Sequence, residues 1–273
     1  MNAERKLLWV LAIANFTHIM DFMIVMPLGP QLMRVFGINP QQFALVVSAY
    51  TFSAGIFGFL GAFFIDRFDR KHALQGVYAA FLLGTLACAL APNYLTLLVA
   101  RGITGAFGGI LGALVLATVA DAVPNERRAT AMGTIMAAFS AASVFGVPFG
   151  LFLASKWSWH TPFFFLAAFG TLIWFLMFFV IPNMKAHLVE KSQRPGPKKI
   201  VQNVFVNKNQ LLALSFGVVL MLGHFSIIPF ISPYMVKNVG FTEMQLTYIY
   251  LIGGGLTVFS LSLIHISEPT RPL

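Results

Sequence analysis

Charge is scarce in this chain: Asp, Glu, Lys and Arg make up 10% of its 273 residues, against about 25% in ordinary soluble domains. Residues of the AVILMFWYC set account for 58%, and the mean hydropathy is +0.80. So few ionised groups cannot keep that much apolar surface in water, and the implied solvent is lipid. Cysteine is nearly absent as well. Cys88 alone provides neither a disulfide framework nor a cysteine-based metal site. No G-x-x-x-x-G-K-[ST] phosphate-binding loop occurs, which removes the nucleotide-driven motors. No His-x-x-x-His, paired intramembrane aspartates or cysteine cluster is there to serve a membrane enzyme. Acidic residues number 9 against 18 basic ones, for a net charge of +9. That excess does not point to nucleic acid, because only Asp21 and Arg101 interrupt long apolar runs and the other charges lie between them. The expectation is a protein without cofactor, metal or nucleic-acid partner.

What is present is a series of apolar runs: 7–33, 43–65, 73–91, 95–120, 129–154, 162–181, 211–236 and 244–260. A helix needs about 20 apolar residues to cross a hydrocarbon core, and each run reaches or approaches that length. A membrane β-barrel would instead alternate in polarity over about ten residues at a time. The 29 Phe and 12 Met read as lipid-facing and helix-packing bulk. Basic residues gather on one set of loops (Arg5, Lys6, Arg67, Arg70, Lys71, Arg127, Arg128 and the basic residues of 185–208), leaving Arg34, Lys156 and Lys237 on the other. The positive-inside bias then places the N-terminus in the cytoplasm of a multi-pass inner-membrane protein. The first run is too long for a signal peptide and lacks a small-residue cleavage site.

The runs divide the chain into a six-helix bundle at 1–181, a cytoplasmic linker at 182–209 and the first two helices of a second bundle at 210–260. The linker's Arg194-Pro195-Gly196-Pro197-Lys198-Lys199 reads as topology charge, with contact to anionic lipid as the alternative. An internal repeat supports the division. Pro30, Arg34, Gly37 and Gln42 recur as Pro233, Lys237, Gly240 and Gln245, an offset of 203 from Pro30 to Pro233. Asn39 and Thr242 each stand three residues before the Gln, a helix-opening spacing. Such a parallel repeat with a six-helix period is one way transporters are built. The final stretch, 261–273, reads differently: Leu261-Ser262-Leu263-Ile264-His265-Ile266-Ser267-Glu268-Pro269-Thr270-Arg271 is what a transposase-end sequencing adapter encodes. It is expected to be non-native, and the reading frame to continue natively through about four further spans.

Asn15, His18 and Asp21 follow at steps of three and share one stripe of the first helix, expected to face a polar cavity. Arg101 stands alone in the fourth run, where a charge is costly unless it meets water or a partner. Gly105, Gly109 and Gly108, Gly112 beside it permit close helix approach. Two readings of Asp21 remain open: it carries a coupling proton or touches substrate, with His18 modulating it, or it forms a static pair with Arg101 that holds two helices. His224 reads as a packing histidine.

Several motifs carry a family resemblance. Ala62-Phe63-Phe64-Ile65-Asp66-Arg67-Phe68-Asp69-Arg70-Lys71 resembles the G-x-x-x-D-R-x-G-R-K signature of the major facilitator superfamily. Asp66, Arg67, Arg70 and Lys71 match, and Ala62 and Asp69 replace the glycines. Asp69 is the larger departure: Asp tolerates a left-handed turn better than most residues, but it adds a charge to the network. Arg101 to Gly105 is similar to the family's R-x-x-x-G motif, and Gly146-Val147-Pro148-Phe149-Gly150 resembles the proline–glycine motif of its arabinose-efflux-permease-like and drug–proton antiporter branches. Trp159-His160-Thr161-Pro162-Phe163 is similar to their W-R-x-x-F, with His160 for Arg. Asp121-Ala122-Val123-Pro124-Asn125-Glu126-Arg127-Arg128 resembles a second charged loop that pairs with the first. The resemblance implies an all-α multi-pass major-facilitator-type bundle, six N-terminal helices plus the first two of the second half. It also implies a monomeric secondary transporter that exports a small molecule, sugar-like or amphiphilic, against protons by alternating access. Asp66, Arg67, Arg70, Lys71, Glu126, Arg127 and Arg128 would form a conformational latch, and Gly146, Pro148 and Gly150 a helix kink. A polytopic membrane enzyme and a transporter-like sensor without flux are the rival readings.

Overall fold

A computed structural model describes residues 3–184 and 205–267, without the side chains of residues 3, 62, 66, 224 and 257–267. Most of the expected linker, with Arg194 to Lys199, and residues 268–273 of the expected tail lie outside the described residues, as does the side chain of His224. The described chain is helical with no strand. Its helices are α1 (Ala3–Ile24), α2 (Gly29–Phe36), α3 (Pro40–Phe64), α4 (Arg70–Ala89), α5 (Tyr94–Ala122), α6 (Asn125–Ala141), α7 (Val147–Lys156), α8 (Thr161–Val180), α9 (Lys208–Tyr234) and α10 (Glu243–Ser267). Seven spans among the described residues are long and apolar enough to cross a membrane, the fifth being Asn125–Lys156 and the seventh Lys208–Val239.

Three departures from the expected runs have local causes. The first run, 7–33, is not one helix: α1 ends at Ile24, and α2 starts afresh at Gly29. Pro27 and Pro30 supply no backbone N–H, and Pro30 fits the first turn of a new helix. The fifth run is continuous but contains a π-helical stretch, Ala142–Gly146, in which Val147 N–H reaches back to Ala142 O. Pro148 cannot donate, and its ring crowds an ordinary α-turn. The wider turn just before it absorbs that conflict. At the other end of the chain, α10 stays helical through Ser267, so the change in sequence character at Leu261 is not a break in secondary structure.

Both copies of the internal repeat adopt one geometry. Gly37 and Gly240 have φ of +63° and +83°, the positive values among the described residues, as expected for glycine closing a helix. In the first copy Asn39 accepts from Gln42 N–H at 2.8 Å, and Gln42 Oε1 accepts from Asn39 N–H at 3.0 Å. In the second, Gln245 Oε1 accepts from Thr242 N–H at 2.8 Å, and Thr242 Oγ1 accepts from Gln245 N–H at 3.3 Å. Each copy is thus a left-handed glycine followed by a capping box.

Small residues set the tightest crossing. A side chain at Gly105 or Gly109 on α5 would run into the α3 backbone at Tyr50 or Ala54, and Gly58 on α3 faces the carbonyl of Gly109. Two large apolar clusters lie in the bundle, beside a smaller one of Ile19, Met20, Ala142 and Leu166. Of the large pair, one contains Leu11, Leu74, Tyr78, Leu114 and Ile135, the other Ile24, Phe43, Leu97, Trp159, Phe163 and Leu246. The outer surface is apolar too, with Phe52 72% and Phe179 86% exposed, as a lipid-facing wall requires. Helix α10 lies along α7 and the π-helical stretch, where a Cβ on Gly254 would sit 2.8 Å from Val144 Cα.

Candidate functional site

A polar layer separates the two large apolar clusters. Arg101 on α5 donates through Nη1 to Asp21 Oδ2 on α1 at 2.7 Å and to the Asp21 carbonyl at 3.3 Å. Thr85 on α4 donates to Asp21 Oδ1 at 3.1 Å. Three helices therefore converge on one carboxylate. Asp21 is 0% and Arg101 1% exposed, a degree of burial at which ion pairing and hydrogen bonding must offset a large loss of hydration.

Tyr50 roofs this pair. Its ring holds the Arg101 guanidinium 4.3 Å from the centroid, a cation–π distance. The same ring packs against Phe22 at 5.3 Å and against His18 at 6.5 Å. Phe22 in turn meets Phe225 of α9 edge-on at 5.7 Å, so the aromatic chain runs from the charge pair to α9. A side chain at Gly108 would strike the Tyr50 hydroxyl and the His18 ring, so that glycine makes the stack's room. Three buried polar atoms of the cluster, His18 Nδ1, Tyr50 Oη and Arg101 Nε, make no hydrogen bond among the described residues.

The expected stripe on α1 is partitioned rather than presented to one cavity. Asn15 donates to the Ile135 carbonyl of α6 at 3.2 Å, His18 stands among Tyr50 and Phe81, and Asp21 turns to α4 and α5. Sequence reasoning passed over Tyr50, Thr85, Phe22 and Phe225. The signal for Tyr50 was a phenol in the middle of a membrane span, since a buried Tyr hydroxyl usually seeks a partner.

The charged loops meet at one end of the bundle. Arg70 Nε pairs with Asp121 Oδ2 at 2.8 Å, linking the start of α4 to the end of α5. Lys71 Nζ donates to the Phe178 carbonyl at 2.8 Å, Arg128 to the Ala120 carbonyl at 2.7 Å, and Arg127 pairs with Glu4 at 2.9 Å. Arg67 lies over the Phe64 ring, Glu126 occupies the first turn of α6, and the side chain of Asp66 is outside the described residues. Asp69 does not use the left-handed turn it could tolerate. Its φ is −56°, and its carboxylate caps α4 by accepting from Lys71 N–H at 2.8 Å, so the residue in the glycine's place supplies an N-cap. In the fifth span Pro148 is buried, and Gly146, closing the π-helical stretch, and Gly150, on α7, leave room for Phe16, Met20 and Ile24 of α1. Among the described residues no group of three His, Cys, Asp or Glu is placed to hold a metal.

Comparison with known proteins bears on this architecture. The chain is 27% identical over 251 residues to the uncharacterized MFS-type transporter YfhI of Bacillus subtilis, which covers 91% of the chain and 62% of YfhI. It is 26% identical over 281 residues to the putative transporter AraJ of Escherichia coli, covering 98% of the chain and 67% of AraJ. Its similarity to the inner membrane transport protein YdhP of E. coli is 29% over 240 residues, covering 85% of the chain and 59% of YdhP. The chain thus spans about 62% of the length of YfhI. Among solved structures, a bacterial homologue of the human lysosomal transporter Spinster, inward-facing and unoccupied, matches with TM-score 0.75 at 17% identity, over 100% of this chain and 64% of that one. A D-xylose–proton symporter matches with TM-score 0.71 at 17% identity, over 98% of this chain and 70% of that one. These likenesses show the fold. The profile of one family extends over residues 11–268, through both copies of the repeat, the charged loops and the Asp21–Arg101 layer, and the chain belongs to the Major Facilitator Superfamily.

Proposed function

We propose that this chain is the substrate- and proton-handling part of a secondary active transporter that exports a small molecule by alternating access, with no enzymatic step. The observation that carries the reading is the Asp21–Arg101 pair, ionised groups buried between apolar clusters and bridging three helices. Ionisable groups inside a membrane span mark ion and substrate pathways. Arg101 keeps its proton at any physiological pH, so Asp21 is the member that titrates. A proton on Asp21 cancels the ion pair and frees the guanidinium beneath Tyr50. His18 Nδ1, Tyr50 Oη and Arg101 Nε then offer hydrogen-bonding capacity to a cargo whose flat or apolar body fits among Phe22, Tyr50 and Phe225. That lining favours an amphiphilic cargo over a sugar, which needs polar partners around its whole rim. The basic residues gathered on one set of loops support a cytoplasmic N-terminus, and the relative YdhP is named as an inner membrane transport protein.

The test is flux. In proteoliposomes holding the full-length transporter, a pH gradient is expected to drive counter-movement of an amphiphilic dye, and Asp21→Asn to abolish that drive while exchange at equal pH persists. Unchanged gradient-driven flux in Asp21→Asn removes the carboxylate from the proton path. The second reading, a static clamp between α1 and α5, draws on the complete burial of both groups, and that same unchanged flux would favour it.

A further inference from the structure

The two copies of the internal repeat do more than share a geometry: they touch. Arg34, in the last turn of α2, forms an ion pair with Glu243, in the first turn of α10, at 2.8 Å. The pair joins the first copy to the second, at the end of the bundle opposite the Arg70–Asp121 loops. Each charge has a local reason to be present. A cation suits a helix C-terminus and an acid suits an N-terminus. Neither reason requires that they meet across the two halves.

The surroundings show that the halves are closed upon one another there. A Cβ at Gly29 would lie 3.0 Å from Pro233 Cγ of the second copy. Leu246 of α10 is buried with Leu28, Val147 and Leu151 of the first half. Gln31 Nε2 donates to the Ala154 carbonyl at 3.3 Å, and the crevice between these residues and Glu243 retains only about 10 Å³. The repeat also shows why the contact is not reciprocated between the two copies. With the offset of 203, Lys237 stands in register with Arg34 but Pro40 stands in register with Glu243, so the reciprocal pair has a cation and no acid.

We propose that Arg34 and Glu243 form a one-point electrostatic strap that holds this end of the transporter shut, and that must part for the cavity to open on this side. The inference rests on the alternating-access reading above, but its readout is a distance rather than flux. Spin labels at Gln41→Cys and Val239→Cys, both exposed positions flanking the strap, report the separation of the halves by pulsed EPR in the full-length protein in nanodiscs, with buried Cys88 left unlabelled. Arg34→Glu sets like charges against each other and is expected to lower the closed-to-open ratio about fivefold, roughly 1 kcal/mol at 1.4 kcal/mol per tenfold. Arg34→Glu combined with Glu243→Arg is expected to restore the original distribution, and raising the salt to about 1 M to shrink the difference between single variant and parent. A distribution that Arg34→Glu leaves unmoved overturns the strap, as does a shift that the swapped pair fails to reverse. In the first case, surviving gradient-driven flux in Arg34→Glu leaves the transport reading standing. Unchanged flux in Asp21→Asn, which removes the carboxylate from the proton path, leaves the strap standing as long as the distance distribution responds to Arg34→Glu.

Discussion

Two ion pairs of almost equal length bind this chain together, and they have opposite physics. Asp21–Arg101, at 2.7 Å, is 0% and 1% exposed at its side chains. Arg34–Glu243, at 2.8 Å, is 66% and 25% exposed. Geometry alone would rank them as equals. Hydration does not, because the exposed pair gives up little water and gains little, while the buried one gives up nearly all of its hydration and depends on its partners to compensate. A buried pair is costly to break and suits a switch thrown by a proton. An exposed pair is cheap to break and suits a strap that opens on every cycle.

The comparison can be broken at its strongest point first. Arg101→Leu strands an uncompensated carboxylate and is expected to cost about 3–5 kcal/mol, read as a lowered Tm of the protein in detergent. Asp21→Asn combined with Arg101→Met removes both charges. It is expected to recover most of that Tm without recovering gradient-driven flux. If flux returns with it, the pair is a clamp and nothing more. Next in size is the crossing that brings α5 against α3. Gly109→Leu drives a side chain into the Ala54 backbone and is expected to cost about 1–3 kcal/mol, measurable by the same melting curve. The smallest effect belongs to the strap: Arg34→Ala is expected to lower stability by less than about 1 kcal/mol, and 1 M salt to erase the difference.

Much of the fold was legible because lipid imposes one rule on every span: a long, continuous apolar run. The repeat was legible for a different reason. A left-handed glycine and a capping box are local chemistry, and Gly37 and Gly240 adopt it as their sequence surroundings demand. Hydropathy was blind to the break between α1 and α2, since Val25 to Leu28 is as apolar as its flanks and only the missing N–H groups of Pro27 and Pro30 signal a stop. The site was legible in its charges and not in its roof. Asp21 and Arg101 stand out against an apolar background, whereas Tyr50 and Phe22 look like packing until the α3–α5 crossing sets the phenol ring over the guanidinium. For Asp69 the sequence left a tolerated turn and an added charge side by side, and only the position of the α4 N-terminus shows that its carboxylate serves as a cap.

The π-helical stretch at Ala142–Gly146 has a consequence for how the chain tolerates changes in length. It accommodates one residue more than a regular helix would, and one residue corresponds to about 100° of rotation. Deleting Ser143 would remove the bulge and leave the α7 face that bears Gly150 still directed at α1, while setting the Pro148 ring against an ordinary α-turn. An equal deletion elsewhere in α6 or α7 would swing that face toward lipid. The span therefore carries its own spare residue, at the one place where the helix can lose it.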